Sequence, residues 1–97
     1  MKTVEEWQND VDQWINTYGQ PWPKWNYFAR LVEEVGEVGK VLSIQEGHRE
    51  KRYELEKLET EMGDVLFVLL ALANHLKIDM NDAIKQAMDK YTERVKK

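Results

Sequence analysis

Ninety-seven residues, 33% of them charged and 42% hydrophobic, describe one soluble domain over 1–97, large enough for a single core and helped by oligomerisation. A net charge of −4 argues against a groove that tracks the phosphates of a nucleic-acid polymer, although a small phosphorylated ligand bridged by metal remains compatible. No cysteine means no thiol chemistry, and the longest apolar run, Val65 to Ala73, is too short to span a bilayer. With no apolar signal core at the N-terminus, a cytoplasmic protein is expected.

Thr3 and Glu6 have capping-box spacing, and Val4, Trp7, Val11, Trp14, Ile15 and Tyr18 recur at helical intervals. This first helix should end near Gly19, a residue type favoured past helix ends. Gln20-Pro21-Trp22-Pro23 is a tight loop, because each proline disfavours helical backbone for the residue before it. Trp22, Trp25, Tyr27 and Phe28 crowd around it. They either plug one end of the molecule or offer a ring to stack on a flat ligand such as a nucleobase.

A second helix is expected from about Lys24 to Ser43, with its apolar stripe on Phe28, Leu31, Val35, Val38 and Leu42. Gly36 and Gly39 interrupt it at a cost of up to about 1 kcal/mol each, which suggests close approach of another helix. Arg30 stands one turn before Glu34, placed for an ion pair or for a ligand phosphate. Gln45-Glu46-Gly47-His48 reads as a turn with His48 at the surface, and Arg49 to Lys57 as a solvated lead into the third helix or a mobile segment. From Leu58 the third helix carries the run Val65 to Ala73, apolar on every side. So short a chain can hardly cover all sides of it, so self-association follows. His75 reads as a cap or interface residue. Asp79 and Asn81 open a last helix with Met80, Ala83, Ile84, Ala87, Met88 and Tyr91 as its stripe and a basic end. The expected fold class is therefore all-α, a four-helix bundle, oligomeric.

Two acidic clusters organise these helices: Glu33-Glu34-Val35-Gly36-Glu37 and Glu61-Met62-Gly63-Asp64. Residues three apart share a helix face, so Glu34 pairs with Glu37 and Glu61 with Asp64. At about 100° per residue, Glu34 falls among Leu31, Val35, Val38 and Leu42, and Glu61 among Leu58, Val65, Val68 and Leu72. Four carboxylates converging between apolar faces would repel, and a bound divalent cation removes the difficulty. Hard cations such as Mg2+ prefer oxygen ligands. Surface acids beside the stripe are the bland alternative for one such pair; two matched pairs favour metal. A di-iron bundle would want Glu-x-x-His pairs, and Gln45 and Leu72 stand three residues before His48 and His75.

Glu33-Glu34-x-x-Glu37, then 23 residues, then Glu61-x-x-Asp64-Val65-Leu66-Phe67 resembles the signature of the MazG-type nucleotide pyrophosphohydrolases of the all-α NTP pyrophosphatase superfamily. Arg30-Leu31, Leu72-Ala73-Asn74 and Ile78-Asp79 fit as well, and the likeness runs from the first helix to Arg94. It implies a homodimer or homotetramer that cleaves a nucleoside triphosphate to the monophosphate and pyrophosphate, with Mg2+ or Mn2+. By position, Glu34, Glu37, Glu61 and Asp64 match the metal ligands; a carboxylate not fully committed to metal, Glu37 or Glu34, can serve as general base. Substrate contacts are implied for Lys24, Trp25, Asn74, Lys90 and Arg94, with Tyr18 and Trp22 also placed near a base. Relatives often carry Lys-x-x-x-Asn ahead of the last arginine; Met88 to Arg94 holds no asparagine. The alternative reading is a non-enzymatic helical metal-binding or interaction module.

Overall fold

A computed structural model describes residues 1–45 and 51–96, so the expected turn at 46–48, the place of His48 and the first charged residues after it lie outside the described residues. Four helices follow one another: α1 (Val4–Tyr18), α2 (Lys24–Gln45), α3 (Lys51–Leu76) and α4 (Met80–Lys96), with no strand among the described residues. The all-α expectation is met, and the helix bounds agree with the hydrophobic periodicity to within a few residues.

Local chemistry sets the boundaries. The Thr3 hydroxyl accepts from the Glu6 N–H at 3.1 Å, and the Thr3 N–H donates to the Glu6 carboxylate at 3.0 Å. Gly19 ends α1 in extended backbone at φ −125°, its N–H donating to the Ile15 carbonyl. Its freedom to adopt positive φ is not what the turn uses. α3 ends in a Schellman motif: the Ile78 N–H reaches the Ala73 carbonyl at 2.8 Å and the Lys77 N–H the Asn74 carbonyl at 3.1 Å. Lys77 occupies the left-handed position at φ 58°, where glycine is usual. Asp79 then caps α4, its carboxylate accepting from the Asn81 and Asp82 N–H groups.

α2 and α3 form an antiparallel hairpin. Tyr27 near the start of α2 lies beside His75 near the end of α3, and Glu34 faces Glu61 and Asp64. α1 crosses α3 antiparallel, with Gln8 at Asn74 and Trp14 at Phe67. The core is small: Val11, Tyr27, Leu70 and Ala71, flanked by Ile15, Leu72 and Met80. At its edge the buried Gln8 acts as a polar rivet. Its amide donates to the Ile78 carbonyl at 2.7 Å and accepts from the Met80 N–H at 2.9 Å, while its main-chain carbonyl accepts from Asn74. Each bond contributes about 1 kcal/mol net, and an orphaned buried partner would cost more.

One chain covers only part of its apolar surface. On α2, Tyr27 and Val41 are buried and Leu31 and Val38 half-buried, but Phe28, Val35 and Leu42 of the expected stripe are exposed, as is Val32. Met62 and Leu66 on α3 and Ile84, Met88, Tyr91 and Val95 on α4 are exposed too. From Met88 onward every described residue of α4 is exposed. The radius of gyration, 15.9 Å, exceeds the roughly 12.5 Å of a compact chain this long. The packing reason expected for Gly36 and Gly39 is not met within the chain. An added Cβ at either position would meet nothing within 4 Å, so among the described residues no other helix of the chain approaches there.

Candidate active site

Glu34 is the one carboxylate among the described residues that the fold buries, at 7% exposure, midway along α2. The same α2 register that buries Tyr27 and Val41 carries Glu34 inward, because 27, 34 and 41 are spaced by seven residues, close to two helical turns. From α3, half-buried Glu61 and exposed Asp64, three residues apart, meet it. Glu34, Glu61 and Asp64 each offer one oxygen, and the three oxygens lie within 4.8 Å of one another. Glu37 lies outside this triplet but lines the same open cleft of about 570 Å³, with Glu33, Gly36 and Arg30. The Arg30 guanidinium forms an ion pair with the Glu34 carboxylate, Nε to oxygen 3.0 Å, and donates from Nη1 to Glu33 at 3.3 Å.

Three carboxylates held this close repel, and the single guanidinium on Glu34 offsets one charge of three. The donor set is entirely hard oxygen, suited to Mg2+ or Mn2+ and poor for softer metals. These residues therefore fit a divalent cation.

A second cavity of about 300 Å³ opens beside the acids and shares Arg30, Glu34 and Asp64 with their cleft. Its remaining walls are mainly aromatic: Trp14 and Phe67, packed edge to face at 5.6 Å, and Trp22 and Tyr27, tilted at 5.4 Å. Gly19 and Gln20 of the proline loop complete the rim. Tyr27 fixes that loop, since its hydroxyl accepts from the Trp22 N–H at 3.2 Å while its ring sits in the core.

Of the residues singled out from the sequence, Glu34, Glu61 and Asp64 come together and Glu37 joins their cleft, with Arg30 and Trp22 alongside. Others stand apart. Trp25 is 69% exposed and pairs with Phe28 at 6.1 Å, and the Lys24 ammonium lies over its ring. Asn74 is engaged with Gln8. Lys90 and Arg94 both lie against the Tyr91 ring on the free half of α4. None of these five lines either cavity. Trp14, Ile15, Gln20 and Phe67 were missed as cavity residues. Trp14 and Phe67 carry no signal that separates them from core aromatics at helical spacing.

Acids from two antiparallel helices beside an aromatic cavity, in a chain of four helices, form a site suited to a divalent cation and a flat, charged ligand. The MazG nucleotide pyrophosphohydrolase domain matches residues 24–97, and the chain belongs to that family. It is similar to YpjD, an uncharacterized protein of Bacillus subtilis (strain 168), with 36% identity over 103 residues, 98% of this chain and 88% of that one. Among solved structures it is similar to the Bacillus-conserved MazG protein, a nucleotide pyrophosphohydrolase: TM-score 0.80, 33% identity, 94% of this chain and 90% of the other. The crystal structure of YpjD from Bacillus subtilis gives a TM-score of 0.77 at 35% identity, over 97% and 91%.

Proposed function

We propose that the chain is a cytoplasmic, single-domain, Mg2+- or Mn2+-dependent hydrolase that converts a nucleoside triphosphate, ribo or deoxy, to its monophosphate and pyrophosphate. The observation that carries this reading is the sharing of Arg30, Glu34 and Asp64 between an acid cleft and an aromatic cavity. One molecule with a flat ring at one end and a polyphosphate at the other fills both.

Glu34, Glu61 and Asp64 would hold the cation, with Glu37 within reach of the same cleft. When bound, the cation supplies charge neutralisation on the polyphosphate and acidifies a water. Glu37 is outside the triplet, which leaves its carboxylate available to accept the proton of the attacking water; Glu34 is the other candidate. The bond that breaks is the α–β anhydride. Water oxygen ends on one phosphate, pyrophosphate carries away the other two, and the abstracted proton returns to solvent. Trp14, Trp22 and Phe67 would receive the base, whose π face any ring can stack on. Lys90 and Arg94 project from the free half of α4, so in this reading they serve the polyphosphate bound to a neighbouring copy in a homodimer or homotetramer.

Product analysis over a panel of NTPs, dNTPs and modified nucleotides, with Mg2+ and with EDTA, tests the reading. Pyrophosphate and monophosphate that appear only with metal are expected. Orthophosphate plus a nucleoside diphosphate would overturn the mechanism. Inactivity on the whole panel would favour a helical binding module.

A further inference from the structure

Arg30 stands at the junction of three clefts around the acids. It lines the acid cleft, the aromatic cavity and a third recess with Trp22, Asn26 and Ala29. Its guanidinium is paired with Glu34, the buried carboxylate, and is itself half-exposed on a long side chain. A buried carboxylate stripped of its partner destabilises the fold or takes up a proton, and Arg30 is the positive group that sits on Glu34 in the cation-free protein. A divalent cation drawn to Glu34, Glu61 and Asp64 claims the same carboxylate. Two cations on one carboxylate repel, and the one on the flexible half-exposed side chain is the one that yields. A guanidinium set free there faces the space where a polyphosphate would lie, and its planar fork suits paired phosphate oxygens.

We propose that Arg30 is an exchangeable placeholder: it neutralises Glu34 in the cation-free protein and passes to the substrate's polyphosphate when a divalent cation takes Glu34. The inference rests on the metal-dependent reading above. It separates from a plain surface ion pair because it makes Arg30 oppose the cation yet favour the phosphate.

The test uses three binding and stability measurements on wild type, Arg30→Met and Arg30→Lys. Mn2+ alone, titrated by electron paramagnetic resonance, should bind Arg30→Met about 3- to 10-fold more tightly than wild type, because its competitor is gone. Inorganic pyrophosphate with saturating Mg2+, followed by calorimetry, should bind the same variant about 10-fold more weakly. The EDTA-treated variant should melt lower than wild type. Arg30→Lys keeps the charge without the fork, so it should hold its melting temperature better than Arg30→Met while still losing pyrophosphate affinity. A lowered melting temperature with Mn2+ and pyrophosphate affinities unchanged would overturn the exchange and leave a structural ion pair. Weaker Mn2+ binding by Arg30→Met would overturn it too, since Arg30 would then be orienting Glu34 as a ligand. Wild type that binds neither Mn2+ nor pyrophosphate would overturn the metal-dependent reading and the exchange together.

Discussion

At the level of single side chains, burial and partnership divide the labour. Glu34 is buried and paired, whereas Glu37 is exposed beside the triplet. Replacing Glu37 by Gln should therefore remove the proton acceptor without dismantling the cation site. The expectation is a fall in kcat of about 100-fold or more, with Mn2+ affinity changed far less. Equal losses in both would make Glu37 a ligand rather than a base. Tyr27 offers a second contrast. Its ring belongs to the core and its hydroxyl to the proline loop. Tyr27→Phe keeps the ring and frees Trp22, one wall of the aromatic cavity. KM for the preferred nucleotide should rise roughly 2- to 10-fold, the worth of one hydrogen bond, with a smaller change in kcat. An unchanged KM beside a lowered melting temperature would reduce that bond to a structural role.

At the level of helices, apolar periodicity and local chemistry placed all four elements, because Thr3 and Asp79 act through capping bonds and the two prolines by restricting the residue before them. The acid pairs were legible for the same reason: a three-residue spacing fixes a shared face whatever the tertiary context. Long-range features were not legible. Nothing local marks Gln8 as the residue that ties α1 to the α3–α4 turn. Lys77 takes a left-handed position without being glycine because the flanking bonds of the Schellman motif impose it. Nearness in sequence groups Trp25 and Phe28 with the aromatic cluster, yet they turn outward while Tyr27 between them turns in, as a helix period requires. Gly39 gives the helix scale a direct check. With open space beside it, Gly39→Ala should raise stability by up to about 1 kcal/mol through helix propensity. A loss instead would place a helix of another copy against that flank.

At the level of the molecule, the exposed apolar residues of α2, α3 and α4 and the wide radius of gyration describe a chain that has not finished burying its surface. Self-association into a homodimer or homotetramer is expected, with sedimentation at micromolar concentration giving a multiple of 11.6 kDa. A folded monomer under those conditions would contradict it. Met88→Glu, on the free half of α4, should shift the mass toward monomer by placing a charge in an apolar contact.

The account turns on whether the acids of the hairpin are a cation site or an ion-pair network, and thermal melts of wild type and Glu61→Gln, each with EDTA and with excess Mn2+, decide it most directly. Without metal, removing one of three mutually repelling carboxylates should leave the variant as stable as wild type or more so. With metal the order should reverse, because a ligand that binds only the folded state stabilises it: wild type gains melting temperature and the variant gains much less. A variant that melts lower than wild type in EDTA, with the two proteins responding equally to Mn2+, would contradict the claim.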